Sequence, residues 1–347
     1  MTNEVHFAEA TTSRIATGDL IKRHPELHHY TSWEGLEGIV ASQSLWAMHF
    51  RTLNDSSEIE LLREPLIEVV ESRFRKILRH LKRDSFRLQR TVTKFGGLST
   101  VASDAARGLV NSVYKVTFEA GGSVPFGDPF IASFCTHSGD QQYERENGLL
   151  SQWRGYAANG GYCIVLDTAA LAGLLGEEFD RFYWIHLNLD EVLYAFDGTS
   201  VADLFPVLLD RFDLVFSRML EQGDMGPPVE DGFAPFVTAA TLLKHQGFKE
   251  EREVRIVAMP GSAALRDRVK AEYPAEFTNF PLKQIRTISG ARGLRRYITL
   301  FDGLKANLPI KRVIVGPSKD QDANHKRARH LLPIAVDVVR SATPFIG

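Results

Sequence analysis

Seven residues constrain this chain more than any other stretch: Glu251, Arg252, Glu253, Val254, Arg255, Ile256 and Val257. As a β-strand, the segment places Glu251, Glu253 and Arg255 on one face and Val254 and Ile256 on the other. The apolar face demands a core. The charged face demands either solvent or a cleft in which a cation or ligand separates two neighbouring carboxylates. Glu-x-Glu spacing suits chemistry, because one carboxylate can stabilise a developing cation while the next positions a nucleophile. It equally suits a solvent-facing edge strand whose charges oppose edge-to-edge pairing.

The rest of the chain alternates between strand and helix periods. Leu27–Thr31 reads as a strand, with Ser32 as N-cap of a short helix carrying Leu36, Ile39 and Val40. Ser44–Phe50 reads as a second strand, closed by a turn at Asn54 and Asp55. From Glu58 to Thr93 the period is helical, with an apolar face that includes Leu62, Leu66, Val70, Phe74 and Leu78. Its basic part, Arg73–Arg90, is either a solvated helix face or a phosphate contact. Strands are expected at Phe130–Thr136, Gly161–Asp167, Ile185–Tyr194, Lys311–Gly316 and Ile334–Val339. Helices are expected at Thr168–Leu175, Ala202–Leu220, Phe236–His245 and His325–Leu332, and a Gly/Pro-rich loop at Gly223–Asp231. The helix at Phe236–His245 is expected to lead straight into the Glu-x-Glu strand. Strands spread through the chain with unequal helical inserts predict one α+β domain rather than a regular βαβ repeat.

Several function classes are absent from the sequence. No G-x-G-x-x-G follows a strand, and there is no P-loop, H-E-x-x-H or G-x-S-x-G motif. The 347 residues carry a formal charge of −2, which gives no global attraction to nucleic acid or anionic membrane. The two cysteines, Cys135 and Cys163, stand apart, so neither a disulfide framework nor a zinc ribbon is indicated. His28 and His29 are adjacent and face opposite ways on a strand, so they do not form a metal pair, and no metal is expected. Residues 1–10 lack the apolar core of a signal peptide, and no apolar run reaches membrane-span length. A cytoplasmic protein without membrane contact is expected.

Ordered patches carry a family resemblance: Leu27–Ser32, Leu36–Val40, Leu53–Glu58, Ile131–Cys135, Ser151–Tyr156, Gly161–Asp167, Phe248–Lys249, Glu251–Ile256 and Val313–Pro317. Together they resemble the bacterial domain-of-unknown-function family numbered 2971. A strand bearing His and Thr, a helix, and a later Glu-x-Glu strand also resemble the ADP-ribosyltransferase fold. That resemblance implies a split antiparallel β-sheet with helical insertions, near residues 58–94 and 200–222 of a domain spanning 27–347 after an amino-terminal segment, 1–26. It implies NAD as donor, held in a cleft. Leu27-His28-His29-Tyr30-Thr31-Ser32 matches the opening motif, so His29 would bond the nicotinamide ribose while the backbone at Tyr30 and Thr31 holds the carboxamide. Tyr30 departs from the small residue usual there. Glu253 matches the catalytic glutamate, and Glu251 the preceding residue that orients the acceptor.

Breaking the N-glycosidic bond of NAD develops oxocarbenium character, which a carboxylate in a water-poor cleft stabilises. Glu251 would then be general base towards an acceptor. Arg255 or Arg154 would grip the pyrophosphate. Phe50, Trp153 and Tyr156 are candidates for stacking on nicotinamide, with Trp153, Arg154 and Tyr156 forming a cleft wall. The expected activity is ADP-ribosyl transfer to a macromolecule, or NAD hydrolysis where water is the acceptor. By analogy the protein would be a toxin or phage-defence effector, with an antitoxin as a further partner. The rival expectations are a metal-dependent nuclease using the basic stretch and the acidic pair, and a non-catalytic binding module.

Overall fold

The computed structural model describes residues 16–52, 58–119, 127–137, 141–157, 160–195, 201–222, 228–275, 277–290 and 293–344. The proposed turn at Asn54 and Asp55 lies outside the described residues. The strands are β1 (Glu26–Thr31), β2 (Leu45–His49), β3 (Phe130–Cys135), β4 (Tyr162–Asp167), β5 (Trp184–Glu191), β6 (Leu193–Ala195), β7 (Leu243–His245), β8 (Glu253–Pro260), β9 (Ile285–Gly290), β10 (Gly293–Leu300), β11 (Ile310–Val315) and β12 (Asp337–Arg340). The helices in use below are α1 (Gly18–Arg23), α2 (Trp33–Ser42), α3 (Arg63–Asp84), α4 (Phe86–Lys94), α5 (Leu98–Tyr114), α6 (Gln142–Asn147), α7 (Leu150–Tyr156), α8 (Thr168–Arg181), α9 (Val201–Leu204), α10 (Pro206–Gln222) and α11 (Pro228–Leu242).

A mixed α/β architecture results, with a mostly antiparallel sheet ordered β12-β11-β4-β1-β3-β2-β10-β9, and β8 and β5 branching from β3. Among the described residues, the β11–β12 pair is the one parallel pair of that sheet. Leu27, Phe134, Ile164, Val254, Ile256 and Val313 pack into one core on a face of the sheet. A second core is made by α3, α5, α10 and α11, where Phe74 stacks on Phe216 with ring centroids 3.8 Å apart. Ser32 caps α2 by accepting from the Gly35 amide at 3.3 Å. A Cβ at Gly35 would collide with the Thr31 hydroxyl, so a glycine is needed for α2 to start this close to β1.

The branch at β3 positions the site. Along one edge β8 pairs with all six residues of β3, from Phe130↔Ala258 to Cys135↔Glu253. The other edge is shared: β2 takes Phe130 and Ile131, while β1 takes Cys135 through His28. Between these two footholds β1 and β2 part, and among the described residues Ala132–Phe134 has no strand partner on that edge. Antiparallel strands point the N–H and C=O of alternate residues to the same edge. Ile131 and Cys135 use theirs on β2 and β1, so the backbone of Ser133 points into the split.

The sequence reading needs correction in several places. The Glu-x-Glu strand begins at Glu253, since Glu251 ends a 3-10 helix, Gln246–Glu251, and Arg252 turns the chain with φ +44°. It is no edge strand, because β8 lies between β3 and β5 and all eight of its residues are buried. The helix before it stops at Leu242, and β7 and the 3-10 helix intervene. The described part of the amino-terminal segment 1–26 contains α1 and the first residue of β1, so regular structure begins ahead of Leu27. Helix α5, which buries Ala102, Ala106, Val110 and Tyr114, adds to the expected elements, and so does the β9–β10 hairpin, whose β9 is largely exposed and lacks an apolar face.

Buried histidines make the fold acid-sensitive, His137 and His186 among them. His137 bonds the Tyr30 hydroxyl at 3.1 Å, and His186 bonds Asn188 at 3.0 Å. Burial, aided at His137 by the charge of Arg252, lowers both from the ordinary 6.5 to about 4. The unfolded chain therefore binds protons that the fold refuses, and stability falls as pH drops from 6.5 towards 4, by at most roughly 3 kcal/mol per histidine. Urea midpoints measured from about pH 7 to about pH 4 should fall steadily. The double variant His137→Gln/His186→Gln should show a flatter profile over that range; an unchanged slope would contradict the assignment.

Candidate functional site

A cleft of about 560 Å³ opens at the split, and His29, Ser133, Tyr156, Lys244, Glu251, Glu253 and Arg295 are among the residues that line it. His29 stands at its wall. Its Nδ1 lies 3.1 Å from the Ser133 carbonyl oxygen, which assigns the proton to Nδ1 and leaves Nε2 as an acceptor. Burial, opposed by that bond, lowers the ring's pKa below its ordinary value, so the imidazole is neutral near pH 7. Strand alternation puts His28, not His29, in the row of Cys135 and Glu253. His29 belongs to the opposite face and reaches the cleft because the sheet is open beside Ser133.

Beyond the split lies a buried five-member charge cluster. Arg255 Nε donates to Glu253 Oε1 at 2.7 Å, and one terminal nitrogen donates to Glu253 Oε2 at 2.9 Å and to Glu58 Oε2 at 2.7 Å. The other terminal nitrogen donates to the Thr241 carbonyl at 2.7 Å. The Lys244 ammonium sits 2.7 Å from Glu251, 2.9 Å from Glu253 and 3.4 Å from Glu58. Burial by itself would raise the pKa of Glu253, but Arg255, Lys244 and the Ser133 hydroxyl outweigh it and hold the carboxyl at about 2. Glu253 is thus an anion whose acceptor positions are filled by four donors. Glu251 differs: its side chain is 19% exposed, and Lys244 engages one of its oxygens.

The expected site residues divide accordingly. Glu251, Glu253, Arg255, His29, Tyr30 and Tyr156 all border the cleft. Tyr30 gives it little beyond shape, because its hydroxyl accepts from the Leu149 amide at 2.8 Å and meets His137. Thr31 packs against Gly35 and is not part of the lining. Trp153 is buried in a small cluster with Tyr30 and Cys163, its Nε1 donating to the Asn147 carbonyl at 2.9 Å. Arg154 is exposed on α7, outside the lining. Phe50 belongs to the helical core. Besides Tyr30 and Phe134, the aromatic rings lining the cleft are Trp46, Tyr156 and Phe248, and Trp46 stacks on Tyr297 at 4.2 Å.

Sequence reasoning missed Glu58, Lys244 and Arg295. By sequence Glu58 fits a helix start and Lys244 the body of a helix, and only the fold brings them to β8. Arg295 comes from the unforeseen hairpin. It has no carboxylate partner among the described residues, and its Nε is buried without a hydrogen bond. Among the described residues no group of His, Cys, Asp and Glu is arranged to hold a metal ion. The ammonium of Lys244 takes the position between the carboxylates that a divalent cation would need. No helix among the described residues is long and apolar enough to cross a membrane.

Removing one member of the cluster leaves its partners buried and uncompensated. Glu253→Gln should cost about 3–5 kcal/mol in chemical denaturation. Glu251→Gln, at the cluster's exposed corner, should cost about 1 kcal/mol or less. Equal losses would show that the two carboxylates are structurally equivalent.

No curated protein and no solved structure matches the chain. A family model matches the segment running from α7 into β8, which holds Lys244, Glu251, Glu253 and Arg255 but not His29. Residues 152–256 match the model of the family described as "Protein of unknown function (DUF2971)".

Proposed function

We propose that the split cleft binds NAD and cleaves its nicotinamide–ribose bond, passing ADP-ribose to a macromolecular acceptor or to water. The observation that carries this reading is the convergence of a neutral His29, the open Ser133 backbone and the Glu251/Glu253 pair on one cleft. The residues fit the donor. The Ser133 N–H, directed into the split, suits a carboxamide oxygen. His29 Nε2 accepts from a ribose hydroxyl. Arg295, with its buried and unpartnered Nε, replaces Arg255 as the group for the pyrophosphate, since the donors of Arg255 are engaged inside the protein.

The two carboxylates take different roles. Glu253 holds Lys244 and Arg255 in place and is a positioning residue. Glu251 has acceptor capacity left and lies at the cleft, so it is the group that would bond the ribose hydroxyl and stabilise the charge developing at C1′. The departing bond electrons go to the nicotinamide nitrogen, and the incoming nucleophile supplies the new bond to C1′. The Lys244 ammonium beside Glu251 offsets part of the carboxylate's charge, which predicts a slow enzyme unless the acceptor displaces that contact. The nuclease reading is weaker because Lys244 occupies the centre of the acidic group. A toxin or defence role, and an antitoxin, remain analogies to the fold.

Nicotinamide release from NAD by the purified protein, with and without cell extract, tests the reading. Glu251→Gln should lower the rate by at least about 100-fold, the scale of losing one preorganised electrostatic contact. Arg295→Ala should chiefly raise KM. Turnover that is absent under every condition, or that is indifferent to Glu251→Gln in a folded protein, would overturn the proposal.

A further inference from the structure

The basic stretch between Arg75 and Lys94 is unused by the cleft. It holds eight Lys and Arg against one Asp, a local net of +7 on a chain whose total is −2, so the remainder carries −9. The residues are ordered in space. Lys76, Arg79 and Arg83 follow i, i+3, i+7 on α3, and Arg87, Arg90 and Lys94 repeat that spacing on α4. All six are exposed, and none has a carboxylate partner among the described residues. The opposite stripes, Phe74 and Leu78 on α3 and Leu88 and Val92 on α4, pack into the helical core. Both basic stripes therefore turn away from the same cluster. A solvated face made only for solubility has no need to gather one sign of charge against the balance of the whole chain.

Aromatic rings accompany these charges. Phe86 is 73% exposed and Phe95 is 60% exposed, one at each end of α4. Phe86 projects close to the Arg90 side of the helix, and Lys94 lies over the Phe95 ring. Two uncovered phenyl rings beside cationic stripes match the way single strands are held, with phosphates on Lys and Arg and unpaired bases on aromatic faces. A duplex would offer phosphates but no base faces. A membrane would need the apolar side of α4, which the core already covers. Helix α3 is 22 residues long, about 33 Å, and starts near Glu58 at the cleft, so this surface serves a long ligand rather than the cleft's own small molecule.

We propose that the α3–α4 face binds single-stranded nucleic acid. This binding is separate from any reaction in the cleft. It is measured without NAD, so its failure leaves the reading of the cleft untouched.

The experiment is fluorescence anisotropy with labelled single-stranded RNA and DNA of about 20 nucleotides, with a duplex and anionic lipid vesicles as further arms. Engagement of about six phosphates predicts roughly 300-fold weaker binding between about 50 mM and about 200 mM salt. The triple variant Arg79→Glu/Arg83→Glu/Arg87→Glu, with its folding checked by circular dichroism and thermal melting, should abolish binding or flatten that salt dependence. Phe86→Ala should weaken single-strand binding at least about fivefold. RNA and DNA preference would identify which of the two strands is the ligand. Absence of binding at low salt, binding by the folded triple variant equal to wild type, equal affinity for duplex with no effect of Phe86→Ala, or binding to vesicles alone would each overturn the proposal.

Discussion

The burial of Arg255 and Lys244 is the constraint around which this molecule is arranged. Two cations in the interior would each cost several kcal/mol without anionic partners at contact distance. Glu253 supplies one from the same strand, Glu251 comes from the 3-10 turn before it, and Glu58 comes from the start of the helical layer. The cluster thus ties β8, β7 and the segment ahead of α3 to one point. Its cohesion explains why a central strand, buried along its full length, can carry Glu and Arg at alternate positions. Formal charge adds to three negative and two positive, so the cluster keeps a net negative character at the cleft.

The parting of β1 and β2 gives that charge somewhere to act. A continuous sheet would have covered the Ser133 backbone with another strand. Instead β3 is completed by β8 on one side and left partly open on the other, and the His29 ring takes the Ser133 carbonyl. The two faces of the sheet communicate through this opening. It lets a histidine on one face and carboxylates on the other border the same cleft, which strand alternation alone would forbid. The open edge is protected from pairing with a foreign strand by its shortness and by the histidine laid across it.

Much of the fold was legible wherever local periodicity agreed with tertiary packing. Phe130–Cys135 and Tyr162–Asp167 are largely apolar runs that became central strands, Leu27–Thr31 lies in the strand between them, and Ser32 caps the helix its side chain predicts. The apolar stripe from Leu62 to Leu78 became the core face of α3. Legibility failed where neighbours decided the outcome. Residues 285–300 show little apolar alternation, because β9 faces solvent and the hairpin is held through β2. At Arg252 a left-handed residue ends a turn that looks in sequence like the continuation of a strand. The site was half legible for the same reason. Glu251, Glu253 and Arg255 announce a charged strand face, but nothing near Glu58, Lys244 or Arg295 says that these groups meet it.

The division between Glu251 and Glu253 shows why a motif by itself is a poor guide to which carboxylate is open to a ligand. Both are acidic, both face Lys244, and they are two residues apart. A carboxylate offers about four acceptor sites, and those of Glu253 are filled by two nitrogens of Arg255, the ammonium of Lys244 and the Ser133 hydroxyl. A ligand hydroxyl approaching Glu253 would have to displace a buried cation. Approaching Glu251 it meets an oxygen that the lysine leaves open, at the one corner of the cluster in contact with solvent. The residue that best fits the motif is therefore the one the fold has already put to use, and the acceptor capacity left at the cleft belongs to its neighbour.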